Sequence, residues 1–106
     1  MRILLITLLA VFSMPAILWA QDVPGKTGSD IAQADAQALL NHHNKVRADV
    51  GCPPLQWSPQ LAEYAQAWAN HLASEGCLME HRPFSGKWAQ KYGENIFWGS
   101  ASSYTP

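Results

Sequence analysis

Cys77-Leu78-Met79-Glu80-His81, followed by Tyr92-Gly93-Glu94-Asn95-Ile96-Phe97-Trp98-Gly99, is the stretch on which the reading of this chain turns. His81 and Glu94 stand off any periodic helical face, and both adjoin turn residues in a run rich in glycine and aromatics. A histidine and a carboxylate brought together can hold a divalent cation or exchange protons near neutral pH. Two donors alone make a weak metal site, so further ligands would be needed. A structural reading stands beside these: Glu94 holds the backbone near His81 and meets no ligand.

Working outward, the residues before this stretch predict two amphipathic helices. Leu61, Ala65, Trp68 and Leu72 recur at helical spacing, and Tyr64 and Ala69 widen the apolar face. Ser58 is placed to cap this helix, Pro59 suits its first turn, and Gly76 its stop. Earlier, Leu39, His43, Val46 and Val50 share one face of a helix starting near Ser29, with Ser29 or Asp30 as cap and Gly51 in the left-handed position after its end. Cys52-Pro53-Pro54-Leu55-Gln56-Trp57 between them must be an extended connector, because two prolines remove donors and fix φ. Downstream, Arg82 to Gly86 is turn material and Lys87 to Lys91 a short helical turn. Ile96-Phe97-Trp98 reads as a strand or an extended buried segment, and Ser100 to Pro106 as loop.

Other polar residues carry milder expectations. His43, in line with Leu39, Val46 and Val50, reads as a hydrogen-bonded core histidine, and His42 as exposed. Arg47 is expected to snorkel from the same face or to pair with Glu80 or Glu94. His71 and Glu75 read as a solvated helix-face contact. The chain has no H-E-x-x-H, no glycine-rich phosphate loop, no G-x-S-x-G elbow and no C-x-x-C pair.

Met1-Arg2 followed by the apolar run Ile3 to Trp19 and the small residue Ala20 has the pattern of a secretory signal peptide over residues 1–20. An uncleaved anchor is the alternative, although Ser13 and Pro15 interrupt the run. Residues 21–28, with Pro24-Gly25, read as a flexible leader, and 29–106 as one small domain. Beyond residue 20, six Lys and Arg face eight Asp and Glu. That balance offers no electrostatic footprint for nucleic acid or an anionic membrane, so contact with membrane is expected only through the signal peptide during export. Cys52 and Cys77 are the only cysteines, and export permits disulfides. A helix about 25 Å long separates them, so pairing with each other and pairing with other cysteines both stay open.

Five ordered motifs then carry a family resemblance: His43-Asn44-Lys45-Val46-Arg47; Pro53-Pro54-Leu55-Gln56-Trp57; Leu61-Ala62 with Ala65-Gln66 and Trp68-Ala69; Cys77 to His81; and Gly93-Glu94-Asn95-Ile96. Together they resemble the CAP superfamily, or SCP domain, the group of cysteine-rich secretory proteins, antigen 5 and plant pathogenesis-related protein 1. The resemblance implies an α+β fold, an α-β-α sandwich with helices on both sides of a small antiparallel sheet. It also implies a cleft with two histidines and two acidic residues, in some members holding a divalent metal such as zinc. His81 matches the first histidine and Glu94 the Gly-Glu-Asn glutamate. The second glutamate and second histidine have no counterpart here, so 29–106 reads as the N-terminal part of the domain and His81 with Glu94 as half of a four-residue site.

The resemblance further implies a secreted or periplasmic binding module, with lipids, sterols or a partner protein as ligand classes. The alternative is a metal-dependent hydrolase in which His81 and Glu94 are catalytic and a metal polarises a carbonyl or water. One departure stands out: Arg82-Pro83 follows the histidine where the family often has serine, which alters the loop. Residues 21–106 on their own, lacking the later strands, are expected to be molten or aggregated.

Overall fold

The computed structural model describes residues 21–100, and the expected signal peptide and residues 101–106 lie outside the described residues. Two helices form: α1, Gln33–Asp49, and α2, Pro59–Ser74. No strand forms among the described residues, so Ile96-Phe97-Trp98 is not a strand and the expected start of a sheet is not seen there. Lys87 to Lys91 likewise makes no helix; a turn with Ala89 N–H donating to the Gly86 carbonyl takes its place.

The α2 boundaries follow the sequence. The Ser58 hydroxyl accepts from Leu61 N–H, Pro59 occupies the first turn, and Gly76 leaves the helix at φ 90°. Helix α1 starts later than expected. Its N-cap is Ala32, with no side-chain cap, because Ser29 and Asp30 are engaged in a different turn: the Thr27 hydroxyl lies 3.0 Å from the Ser29 carbonyl and 3.1 Å from that of Ile31. Gly28 passes that turn at φ 88°, pressed so closely on the Pro59 backbone that a Cβ could not fit. Gly51, at φ 73°, ends α1 in the left-handed conformation expected of it.

The segment 21–28 is docked rather than flexible. Two glutamines one turn apart on α1 hold the main chain of Val23: Val23 N–H donates to Gln37 Oε1 and Gln33 Nε2 donates to the Val23 carbonyl, each at 2.6 Å. Val23, 1% exposed, thereby packs with Ala36 and Leu40, and Ile31 and Trp57 close around them. Burial of one such valine contributes about 2 kcal/mol. Trp57 Nε1 donates to the Thr27 carbonyl at 2.8 Å, and Asp30 N–H to Gln66 Oε1 at 3.0 Å, so the turn from Thr27 to Asp30 ties the connector and α2 together.

This docking rotates the buried face of α1 by one residue from the expected one. Ala36 and Leu40 are buried, while His43, Val46 and Val50 are exposed. His43 is therefore no core histidine; its Nδ1 lies 2.8 Å from the Leu39 carbonyl. Arg47 pairs with neither Glu80 nor Glu94. Its Nε donates to the Pro53 carbonyl at 2.6 Å, while Asn44 makes two hydrogen bonds to the main chain of Leu55. The His-Asn-x-x-Arg motif thus clamps the proline-rich connector. Helices α1 and α2 do not pack on each other directly.

Candidate functional site

The site is assembled on one flank of α2. Tyr64, Trp68 and His71 lie at i, i+4 and i+7, a single helical stripe. The chain from Leu78 to Trp98 lies along that stripe. Trp68 Nε1 donates to the Glu80 carbonyl at 3.0 Å, fixing the residue before His81. Pro83 opens a loop that Gln90 N–H closes by donating to the Pro83 carbonyl at 2.8 Å. Trp88, carried by this loop, stacks on His71 with ring centroids 4.6 Å apart and planes 13° from parallel. His71 is therefore a packing surface rather than a solvated partner of Glu75. The Tyr64 hydroxyl receives a hydrogen bond from Lys91 N–H at 3.0 Å and lies 3.3 Å from the Ala89 carbonyl, and the Tyr92 ring meets Tyr64 edge-on. These contacts bring the chain back at Gly93 so that Glu94 arrives beside His81.

His81 and Glu94 are brought together as the sequence led to expect: Nδ1 and Oε1 are 2.9 Å apart. Their exposures differ sharply, with the His81 side chain 62% and the Glu94 side chain 12% accessible. An ionised carboxylate only accepts hydrogen bonds, so a neutral imidazole in this contact carries its hydrogen on Nδ1 and leaves the Nε2 lone pair for other partners.

Arg82, to which the sequence reading gave only a role in loop position, completes the arrangement. Its backbone N–H donates to Glu94 Oε1 at 2.9 Å, and its Nε stands 3.5 Å from Oε2, an ion-pair distance at which the N–H makes no hydrogen bond. The guanidinium is buried, donates from Nη2 to the Tyr64 carbonyl at 2.6 Å, and lies over the Tyr64 ring with Cζ 3.8 Å from its centroid. Trp68 and Trp88 complete an aromatic enclosure at 5.1 and 5.5 Å. The signal in the sequence was an arginine fixed in extended conformation by the following proline, with tyrosine and tryptophan four residues apart on a helix nearby.

A cation bound jointly by His81 and Glu94 suits this geometry poorly. Two ligands of one tetrahedral zinc stand about 3.4 Å apart, whereas Nδ1 and Oε1 touch through a hydrogen, and both Glu94 oxygens already face Arg82. Among the described residues no group of three or more His, Cys, Asp or Glu converges as a metal site.

Next to Glu94 a groove of about 440 Å³ opens between α2 and the segment 92–98. Leu61, Tyr64, Trp68, Leu72, Phe97 and Trp98 give it an apolar lining. Cys77 also lines it, and both Cys77 and Cys52 carry free, exposed thiols.

The model of the cysteine-rich secretory protein family, CAP, matches residues 40–105. Pathogenesis-related protein 1C of Nicotiana tabacum is 43% identical over 74 residues, which cover 70% of this chain and 40% of that protein. Pathogenesis-related protein PR-1 of Medicago truncatula is 38% identical over 87 residues, 82% of this chain and 46% of its own length. Pathogenesis-related protein 1 of Arabidopsis thaliana is 38% identical over 85 residues, 80% of this chain and 45% of that protein. The chain thus spans less than half the length of these curated relatives. No solved structure matches it.

Proposed function

This chain belongs to the cysteine-rich secretory protein family, CAP, and from that premise we propose that it is an exported binding module whose groove on α2 receives an apolar ligand, a lipid or a sterol. The observation that carries this reading is the groove itself, apolar along α2 and bordered by a few polar groups, among them Glu94 and Asn95. Its volume lies in the range of small-molecule sites, which combine a mainly apolar lining with a few placed polar groups. Export is supported by the apolar run of residues 3–19 and by the secretory character in the family's description. For the fold, the proposal is the α-β-α sandwich of the family, in which α1 and α2 lie in the helical layers.

The test uses the full-length protein with a fluorescent sterol and a fluorescent fatty acid. Ala69 lines the groove from α2, so Ala69→Trp is expected to weaken binding at least tenfold while leaving the melting temperature within a few degrees. Binding that persists undiminished in Ala69→Trp would remove the groove from consideration. Peptide hydrolysis that disappears in a folded His81→Ala protein, with no lipid or sterol bound by the wild type, would favour the hydrolase reading instead.

A further inference from the structure

We propose that Arg82 is a positioning residue that commits Glu94 to His81, so that the histidine presents Nε2 as its working atom and the glutamate stands behind it rather than beside it. A carboxylate with 12% side-chain exposure needs partners for both oxygens. Oε1 has two, the Arg82 backbone N–H and His81 Nδ1, each at 2.9 Å. Oε2 has the Arg82 guanidinium at 3.5 Å. One residue therefore addresses both ends of the carboxylate, through its main chain and its side chain.

The guanidinium is itself held from outside this pair. Its Nη2 is anchored on the Tyr64 carbonyl, and its face rests on the Tyr64 ring with Trp68 and Trp88 around it. The side chain is 4% accessible, and Nε has no hydrogen-bond partner. A buried cation with one N–H unsatisfied is strongly biased to keep the nearest anion where it is. Helix α2 thereby sets the direction of Arg82, Arg82 sets that of Glu94, and Glu94 sets the tautomer of His81. A free neutral imidazole has no such preference imposed on it, since the hydrogen bond made by one ring nitrogen decides the state of the other.

The consequence is chemical. With hydrogen on Nδ1, an exposed Nε2 is a hydrogen-bond acceptor, a base or a single ligand donor. Glu94, with Oε1 taken by two donors and Oε2 facing the Arg82 guanidinium, contributes orientation and charge from behind the ring.

The experiment is 15N NMR of the histidine rings in the labelled full-length protein at mildly alkaline pH. Protonated and unprotonated ring nitrogens resonate far apart, so the tautomer is read directly. His81 in the wild type is expected to be predominantly Nδ1–H, and Glu94→Ala predominantly Nε2–H. Arg82→Met, which keeps the side-chain length without the charge, is expected to move His81 most of the way toward the Glu94→Ala pattern. A folded Arg82→Met protein with wild-type ring shifts would overturn the proposal, because a purely structural role lowers the melting temperature without touching the tautomer. Should Arg82→Met fail to fold, Arg82→Lys carries the test. It retains the cation, and an Nδ1–H fraction well above that of Glu94→Ala is expected, while equality with Glu94→Ala would overturn the proposal.

Discussion

Asn44 treats Leu55 as one strand treats its neighbour. Leu55 N–H donates to Asn44 Oδ1 at 2.6 Å, and Asn44 Nδ2 donates to the Leu55 carbonyl at 3.0 Å, so a single side chain satisfies both main-chain groups of the residue after Pro53-Pro54. The connector needs this because prolines cannot donate and Leu55 has no ladder to join. Asn44→Ala is expected to cost about 1–2 kcal/mol, read as a lower urea midpoint with an unchanged slope. Asn44→Asp, which retains the acceptor and loses the donor, should fall between. Wild-type stability in Asn44→Ala would mean that water replaces the clamp without loss.

Removing Glu94 strands a buried guanidinium. The Arg82 side chain is 4% and that of Glu94 12% accessible, and loss of one partner from such a pair costs about 3 kcal/mol. Glu94→Ala should therefore lower stability by that order, whereas Glu94→Gln, which still offers Arg82 N–H an oxygen, should lose less. Thermal unfolding followed by near-UV dichroism of Trp68 and Trp88 would report it. Equal losses in the two variants would show that charge, rather than the hydrogen bond, dominates.

Val23 tests whether the segment ahead of α1 belongs to the fold. Val23→Ala removes the most deeply buried large side chain among the described residues and should cost about 2 kcal/mol. Gln33→Ala with Gln37→Ala should have a similar effect by releasing the Val23 main chain. If deletion of residues 21–28 left the unfolding midpoint unchanged, the docking would contribute nothing to stability.

At Gly28 two penalties coincide. A side chain there would adopt φ 88° and also overlap the Pro59 backbone. The conformational part alone costs about 1–2 kcal/mol, and the overlap forces the 27–31 turn away from α2. Gly28→Ala should lower the melting temperature and shift Trp57 emission to the red, because Trp57 donates to the Thr27 carbonyl. Unshifted Trp57 emission would mean that the turn absorbs the methyl group.

Local chemistry made part of this legible in advance. Ser58-Pro59 and Gly76 bound α2 because capping and stopping depend on a few adjacent residues. His81 and Glu94 could be named because they stood off the helical period, and the structure brings them together. What periodicity could not foresee were choices made by distant segments. Leu39, His43, Val46 and Val50 formed a sound apolar stripe, yet the face of α1 that is covered is the one chosen by Val23. Arg82 was hidden for the same reason: its environment comes from Tyr64 and Trp68 on α2, Trp88 in the loop and Glu94 beyond it, and no window of sequence contains all four. The β-favouring Ile96-Phe97-Trp98 forms no strand among the described residues, because propensity alone does not make one.

Both helices end in the same way, with a glycine at positive φ followed by a cysteine: Gly51 then Cys52, Gly76 then Cys77. Both thiols are exposed and free. Each sulfur therefore sits just past a helix terminus, where bonding or capping it need not unwind either helix. The pair forms a chemical record of travel: thiols that label readily with a maleimide mark a chain still in reducing surroundings, and thiols that resist until a reductant is added mark one that has crossed into an oxidising space.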